Sequence, residues 1–393
     1  MMKYKLSLLI DSLLSSGANF LITFLLLKYE GNESVVMFGV AMTLSLIFLS
    51  FQRTIVLIPF NLKEDKCSKV RIIEFLSCSF FLLVLFLVLI FISTYFVFPY
   101  QEQWLLAPVL FAFLFIHESF RYLLMVSKLY FLPALVSVVL VSTFAASLLF
   151  DGLSIKLLIN TYLCLFALEL IVIALFITFK KANTDEHELD IFFWFRDTRN
   201  LLNRNVQSIS QLLLVHSPFL LVSALYPATV SSVLFIARSV FQPVQILIKS
   251  VEAIDQRKLA SIKDNAHTFV KSLFKKYMLI SLAASLICLL IAVYLFPVVY
   301  GEQAVPKLGD LLFWAGILVC LSCSRSVEML LVKKNMYKKM NSLYLLSGLG
   351  VLSLLLLNLF LHLQVSPSLH IFMGWLFLAI TYYLIVMKGV DNE

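Results

Sequence analysis

The chain is 393 residues long, and 61% of its residues are hydrophobic while only 14% are charged. Soluble domains contain about 45–50% apolar and about 25% charged residues, so this composition excludes a soluble globular protein. Residues 80–90 are apolar at every position, which excludes a transmembrane β-strand, because such strands alternate polar and apolar side chains. The sequence therefore predicts an all-α integral membrane protein.

At about 20 residues per span, the apolar content predicts about 12 transmembrane helices. The first apolar run, 6–27, is too long for the core of a signal peptide and is predicted to remain as the first helix. In chain order, the predicted spans are 7–27, 36–60, 72–98, 105–125, 132–150, 157–179, 205–225, 229–248, 273–298, 309–332, 342–363 and 368–387.

Lysines and arginines are concentrated in alternate loops. A cytoplasmic N terminus places most of the 31 basic residues on the cytoplasmic side, while Lys28, Lys156 and Lys307 fall in exterior loops. The positive-inside rule therefore predicts cytoplasmic N and C termini. Contact between basic loops and anionic membrane lipids accounts for the net charge of +8 without a nucleic acid partner.

Two alignments predict that the halves of the chain are related. Residues 118–130 align with 325–337 without a gap, and a charged pair three residues apart appears in both with its signs exchanged. Residues 34–38 resemble 229–233. Both offsets equal six spans, which predicts two six-helix bundles related by a parallel pseudo-two-fold axis along the membrane normal. The predicted organisation is an N-terminal bundle, 1–180, a cytoplasmic interfacial linker, 181–203, and a C-terminal bundle, 204–393.

Arg238 lies in the middle of the eighth predicted span, 11 residues from Pro227 at the exterior turn and 11 from Lys249 at the inner end. This is about 16 Å from each end, near the bilayer midplane. A charge there costs about 2.5–3.5 kcal/mol on insertion scales. The sequence therefore predicts that Arg238 lines a hydrated, positively charged cavity. The alternative is a salt bridge to an acidic residue such as Asp11 or Glu169.

Polar groups follow Arg238 along the same span. Pro243 removes the helical hydrogen-bond donor for the carbonyl of Ser239, and Gln242 and Gln245 supply hydrogen-bonding groups around that turn. We predict that both glutamines contribute to substrate binding.

Arg53 is the corresponding arginine of the second predicted span, about 15 Å before Lys63. The predicted repeat gives spans two and eight equivalent places, so Arg53 and Arg238 are expected to face each other across the cavity. These are the two deepest charges, and they favour an anionic cargo.

Arg121 and Arg325 lie nearer the cytoplasmic ends, and each has an acid three residues away, Glu118 and Glu328. Side chains at that spacing share a helix face and can form a local pair. A cargo-binding role is the alternative. The exchanged signs also permit cross-bundle pairs, Glu118 with Arg325 and Arg121 with Glu328, which would close an inner gate.

Two acids are candidates for ion coupling. Glu169 lies near the centre of the sixth span, and a buried carboxyl can carry a proton; an interhelical hydrogen bond is its alternative role. Asp11 lies about one turn inside the inner surface, where it can simply reach water. Cys320 and Cys323 form a CxxC without a nearby histidine and are interpreted as core filling, so no metal site and no cofactor is predicted.

The sequence resembles polysaccharide-type flippases of the multidrug/oligosaccharidyl-lipid/polysaccharide exporter superfamily, which move O-antigen or capsule repeat units. The sequence differs from these relatives in two places. Tyr29-Glu30-Gly31 stands where the relatives commonly have a basic-Leu-Gly pattern, and the first span carries Asp11 where the relatives can carry a basic residue. The stretches that carry the resemblance are Ser16–Phe20, Lys28–Gly31, Phe38-Gly39, Arg53 to Pro59 and Arg238 to Pro243.

The resemblance implies a multi-pass protein of the bacterial inner (plasma) membrane that moves a polyprenyl-diphosphate-linked oligosaccharide from the cytoplasmic to the outer leaflet by alternating access. In such relatives cavity arginines bind the diphosphate, which suits the planar, permanently charged guanidinium. Polymerase and chain-length components of a polysaccharide pathway are the implied partners. No covalent chemistry is needed, so an enzyme is not expected. The alternative function is a multidrug or cation antiporter of the same fold.

Overall fold

The computed structural model describes residues 2–57, 60, 69–97, 105–126, 131–147, 152–179, 198–262, 266–300, 306–334, 336–363 and 365–388. Within these residues every regular element is a helix, which confirms the all-α class. A backbone in lipid must satisfy its own polar groups, and a helix does so within one segment. Pro59 and residues 181–197 of the predicted linker lie outside the described residues.

The chain divides into two compact units. The first comprises residues 1–21 and 25–208, and the second comprises 22–24 and 209–393. The helices in chain order are α1 (Met2–Tyr29), α2 (Asn32–Gln52), α3 (Lys69–Val97), α4 (Leu106–Val126), α5 (Phe131–Ser147), α6 (Ile155–Phe179), α7 (Thr198–Val215), α8 (Ser217–Leu225), α9 (Ala228–Ser261), α10 (Ala266–Tyr300), α11 (Leu308–Lys333), α12 (Tyr337–Phe360) and α13 (Pro367–Lys388).

Each unit is built around one central helix. In the first unit α4 packs against α2, α3, α5 and α6, and in the second α11 packs against α9, α10, α12 and α13. These central helices are the fourth and tenth predicted spans, so the same order of neighbours occurs in both units, as an internal repeat predicts. The symmetry axis and the cytoplasmic location of the termini stay predictions.

The length and composition of the helices identify a multi-pass membrane protein. Among the described residues, eight helices are long and apolar enough to cross a membrane, and α7 with α8 makes a ninth if that bent pair is one crossing. The apolar parts of α1 and α5, Leu13–Tyr29 and Phe131–Ser147, are shorter. The total of twelve crossings therefore stays a prediction.

Two helices expose continuous apolar faces, which is the pattern expected of surfaces that contact lipid chains. The exposed residues on α3 include Phe80, Phe81, Val84, Leu85, Val88 and Ile92, and those on α10 include Leu279, Leu282, Leu286, Ile287, Leu290 and Ile291.

The predicted span 205–225 is broken in the structure. α7 ends at Val215, α8 begins at Ser217, and the two helices meet at an angle of 41°. Pro218 lies in the first turn of α8, where its missing N–H group is tolerated, whereas its ring prevents a regular helical turn before it. Pro243, by contrast, lies inside α9, which continues past the predicted end at 248.

Two glycines permit close packing around this broken span. A Cβ atom at Gly348 would lie 2.8 Å from the backbone carbon of Leu213, and one at Gly374 would lie 2.2 Å from a methyl group of Val351. Both distances are shorter than van der Waals contact. Small residues at these positions therefore let α7, α12 and α13 approach closely, as in other membrane helix bundles.

Candidate functional site

Arg238 lies on an aromatic surface in the second unit. Its guanidinium carbon is 4.3 Å from the centre of the Phe219 ring. The Phe219 ring in turn contacts Phe235 and Trp314, with ring centres 5.6 and 5.7 Å away. A guanidinium over an aromatic face gains about 0.5–2 kcal/mol, with the larger value at desolvated sites. We call Arg238, Phe219, Phe235 and Trp314 the Arg238 site.

The hairpin formed by α8 and α9 sets the register of this contact. Near the turn between the two helices, the Ser231 hydroxyl donates to the Val222 carbonyl at 3.1 Å, and the Tyr226 hydroxyl donates to the Leu355 carbonyl at 2.8 Å. These bonds join α9 to α8 and the connecting turn to α12. Phe219 is thereby held beside Arg238, although the two are distant along the sequence.

Gln242 and Gln245 lie four and seven residues after Arg238 in α9, and both side chains are half-buried. Side chains at these spacings share one face of a helix. Asp11 and Glu169, the acids considered as partners for Arg238, contact other groups in the first unit.

Arg53 begins a π-helical turn, Arg53–Leu57, that follows α2 directly, and its side chain is exposed. The preceding residue, Gln52, is fully buried, and its amide donates to the Phe115 carbonyl at 3.1 Å and to the Ser119 hydroxyl at 2.8 Å. These bonds fix the end of α2 against α4. π-helical turns occur frequently at functional sites. The sequence alone did not predict this turn.

Asp11 is buried in the first unit, so the expectation that it reaches water is wrong. Its Oδ2 atom lies 2.7 Å from Nε of Arg121, and its Oδ1 atom accepts a hydrogen bond from Ser137 at 2.7 Å. Arg121 also donates to Glu118, one turn away, at 2.9 Å. The guanidinium therefore lies between two carboxylates, one from α1 and one from its own helix.

Glu169 forms an interhelical contact with His117. Nδ1 of His117 and Oε1 of Glu169 are 2.6 Å apart, and Nε2 of the same ring lies 3.8 Å from Oδ1 of Asp11. The second oxygen of Glu169, Oε2, has no hydrogen-bond partner among the described residues. The imidazole thus connects the carboxylates of α6 and α1.

We call Asp11, His117, Glu118, Arg121 and Glu169 the acidic cluster. Three carboxylates meet one guanidinium and one imidazole in this cluster. Buried charges are stable when they are paired or neutralised. The Oε2 atom of Glu169, which is buried without a hydrogen-bond partner among the described residues, is therefore an atom that can take up a proton.

Arg325 and Glu328 pair within α11, with Nη1 and Oε2 3.0 Å apart. The other oxygen of Glu328 accepts a hydrogen bond from the hydroxyl of Tyr344 on α12. Both in-helix pairs expected from the three-residue spacing are thus present. The cross-bundle pairs proposed for an inner gate stay predictions.

Cys320 and Cys323 are buried, free cysteines. Across the part of the chain that the structure describes, no group of three or more histidine, cysteine, aspartate or glutamate side chains could hold a metal ion. Core filling agrees with the burial of both thiols.

The fold is similar to that of solved MOP superfamily transporters, the exporter superfamily that the sequence resembles. One is from Pyrococcus furiosus Vc1 (DSM3638), with a TM-score of 0.58 and 16% identity over 98% of this chain and 95% of that chain; its binding pocket is described as having reverse polarity, which suggests a different function.

A multidrug resistance MATE family transporter of the MOP superfamily matches in two states. Its inward-facing conformation has a TM-score of 0.55 and 16% identity, and its outward-facing conformation has 0.54 and 14%. Each match covers 98% of this chain and 94% of that chain. No protein-family model matches the sequence, and no curated protein matches it. The structural likeness establishes a MOP-type fold.

Proposed function

We propose that this protein is a flippase of the bacterial inner membrane that carries a polyprenyl-diphosphate-linked oligosaccharide from the cytoplasmic to the outer leaflet by alternating access. The transporter fold supports movement of a substrate without covalent chemistry. In this proposal Arg238 and Arg53 bind the diphosphate, and Gln242 and Gln245 contribute hydrogen bonds. A polymerase and chain-length components of the same pathway are the proposed partners.

The observation that carries this proposal is the position of Arg238. A guanidinium in the middle of the predicted eighth span would be expensive in hydrocarbon, and here an aromatic surface supports it. A ring beneath the guanidinium contacts its face, whereas the N–H groups point outward in the guanidinium plane. Paired N–H donors match the oxygens of a phosphate, and the charge persists at any physiological pH.

The Pyrococcus furiosus neighbour concerns the polarity of the binding pocket on this fold. Its binding pocket is described as having reverse polarity, so transporters with this fold are not all described with the same pocket polarity. A basic site on this fold is therefore compatible with transport.

For energy coupling we propose the acidic cluster, with Glu169 and Asp11 as its ionisable groups. The unpartnered oxygen of Glu169 is the atom on which a proton would be carried, and His117 connects it to Asp11. Protonation of Glu169 removes one negative charge from the cluster, which gives the loaded and unloaded states different electrostatic energies. A ligand shifts a conformational equilibrium only through such a difference.

A multidrug or cation antiporter is the second candidate. The acidic cluster favours it, because a cationic drug is attracted to carboxylates. Two of the neighbouring structures are of a multidrug resistance transporter.

The test follows lipid-linked glycan as it reaches the outer leaflet in cells that lack their own flippase. We expect Arg238→Ala and Arg53→Ala each to lower the rate at least ten-fold, because a hydrogen bond to a charged group contributes about 1.5–3 kcal/mol. Lys275→Ala, at an exposed lysine of α10, is the matched control and should leave the rate unchanged.

Ethidium accumulation in the same cells tests the second candidate. Export of ethidium by the wild type, with no more glycan movement than in cells without the protein, would reject the flippase in favour of the antiporter. Unchanged glycan movement in both arginine variants would reject the roles of Arg238 and Arg53.

A further inference from the structure

Trp314 has a buried hydrogen-bond donor without an acceptor. The residue is 3% exposed, and its indole N–H has no hydrogen-bond partner among the described residues. A buried donor left in this state costs about 1–3 kcal/mol. Buried polar groups in proteins are paired in the large majority of cases, so a buried donor without a partner among the described residues is a candidate for contact with a ligand.

This donor lies beside the Arg238 site. The Trp314 ring and the Arg238 guanidinium both contact Phe219. The centres of the Trp314 and Phe219 rings are 5.7 Å apart, and the guanidinium carbon of Arg238 is 4.3 Å from the centre of the Phe219 ring. Both residues lie in the first half of their helices, six residues after Leu308 in α11 and ten after Ala228 in α9.

We propose that Trp314 is the second donor of the anion site, and that its indole N–H donates to an oxygen of the diphosphate held by Arg238. The inference rests on the proposed function and adds two residues to its binding site, with Phe219 as the surface that positions Arg238. The phosphate enters beside the half-buried guanidinium and then supplies the acceptor that the indole lacks.

The chemistry favours a phosphate oxygen over a neutral group. A hydrogen bond to an ionised acceptor is about twice as strong as a neutral one, and the two donors are a guanidinium, which is positive, and an indole N–H, which is neutral. A cationic ligand would gain nothing from an indole N–H, because that group donates and does not accept. The two donors therefore select an anion.

The decisive variant is Trp314→Phe, which keeps an aromatic ring against Phe219 and removes the N–H. We expect farnesyl diphosphate to bind this variant on the order of ten-fold more weakly than wild type, as measured by calorimetry on the full chain in nanodiscs. Trp375→Phe is the matched control, since Trp375 is equally buried in the same unit and packs against Tyr344. It should bind as wild type does.

A spectroscopic measurement covers the case in which Trp314→Phe fails to fold. A chain that keeps Trp314 and carries phenylalanine at its other three tryptophans reports on one indole. Farnesyl diphosphate should shift the Raman band that senses hydrogen bonding of the indole N–H, whereas farnesol should not. No shift at saturating farnesyl diphosphate would overturn the proposal.

Different results would reject the role of Trp314 and the proposed flippase function. If Arg238→Ala abolishes farnesyl diphosphate binding while Trp314→Phe binds as wild type does, the role of Trp314 is wrong and the flippase stands. If wild type binds ethidium and no farnesyl diphosphate, the proposed function itself is wrong, and this inference falls with it.

Discussion

Replacing Arg121 with glutamine should destabilise the first unit strongly. Its guanidinium lies 2.7 Å from Asp11, which is 1% exposed and fixed by Ser137. Removing one partner of a buried pair leaves an uncompensated charge and costs about 3–5 kcal/mol. Glu118 contributes less to this cost, because it is half-exposed and can be hydrated.

A double-mutant cycle isolates the interaction. Asp11→Asn removes the stranded charge and keeps an oxygen that Ser137 can still donate to, so Asp11→Asn/Arg121→Gln should be more stable than Arg121→Gln alone. We expect a coupling of about 1–3 kcal/mol, measured by reversible unfolding in mixed micelles. Lys275→Gln, at an exposed position, is the control. Strict additivity of the two single substitutions, or a cost for Arg121→Gln no larger than that of the control, would refute the pairing.

Three further predictions address coupling and packing. Glu169→Gln keeps a hydrogen bond to His117 but cannot carry a proton, so transport should lose its response to an imposed pH gradient while farnesyl diphosphate binding stays within two-fold; an intact pH response would exclude Glu169 as the coupling group. Gly374→Ala should cost about 1–3 kcal/mol in unfolding experiments, because the new methyl group overlaps a neighbouring side chain, whereas Gly350→Ala, with open space around it, should cost nothing. Lys333 donates to the carbonyls of Leu259, in the last turn of α9, and of Ile262, which follows that helix, so Lys333→Met should cost about 1–2 kcal/mol and the exposed Lys338→Met should not; equal effects would show that the contact adds no stability.

The helices of this protein were predictable from its sequence because apolar runs of span length have few alternatives in lipid. Whether the chain would kink or break at His216 was not predictable, because a proline in a span either kinks a helix or ends it. Pro218 and Pro243 illustrate the two outcomes. The first begins a new helix after a 41° bend, and the second stays within one. The packing around each turn decides this, and packing is not visible in a single sequence.

The contacts in the candidate sites are of two kinds: contacts along one helix, which the sequence predicts, and contacts between different helices, which it does not. The pairs Arg121 with Glu118 and Arg325 with Glu328 follow from helical spacing alone. The contact of Asp11 with Arg121 joins the first helix to the fourth and has no local signal. Phe219 beneath Arg238 likewise depends on the hairpin that joins α8 to α9. A phenylalanine in an apolar span has no distinguishing feature until the fold places a cation on it.

The signs of the buried charges distinguish a flippase from a cation antiporter more directly than the similarity of the fold to solved transporters does. The acidic cluster lies within the first unit, and the Arg238 site lies within the second. A cationic drug would seek carboxylates and would therefore compete with a coupling proton for Asp11 or Glu169. In the proposed flippase a diphosphate would be repelled by those groups and attracted by Arg238, so cargo and coupling ion would use chemically separate sites. They would then influence each other's affinity through conformation, with reciprocal effects on binding, and simultaneous occupancy is the behaviour that this proposal predicts.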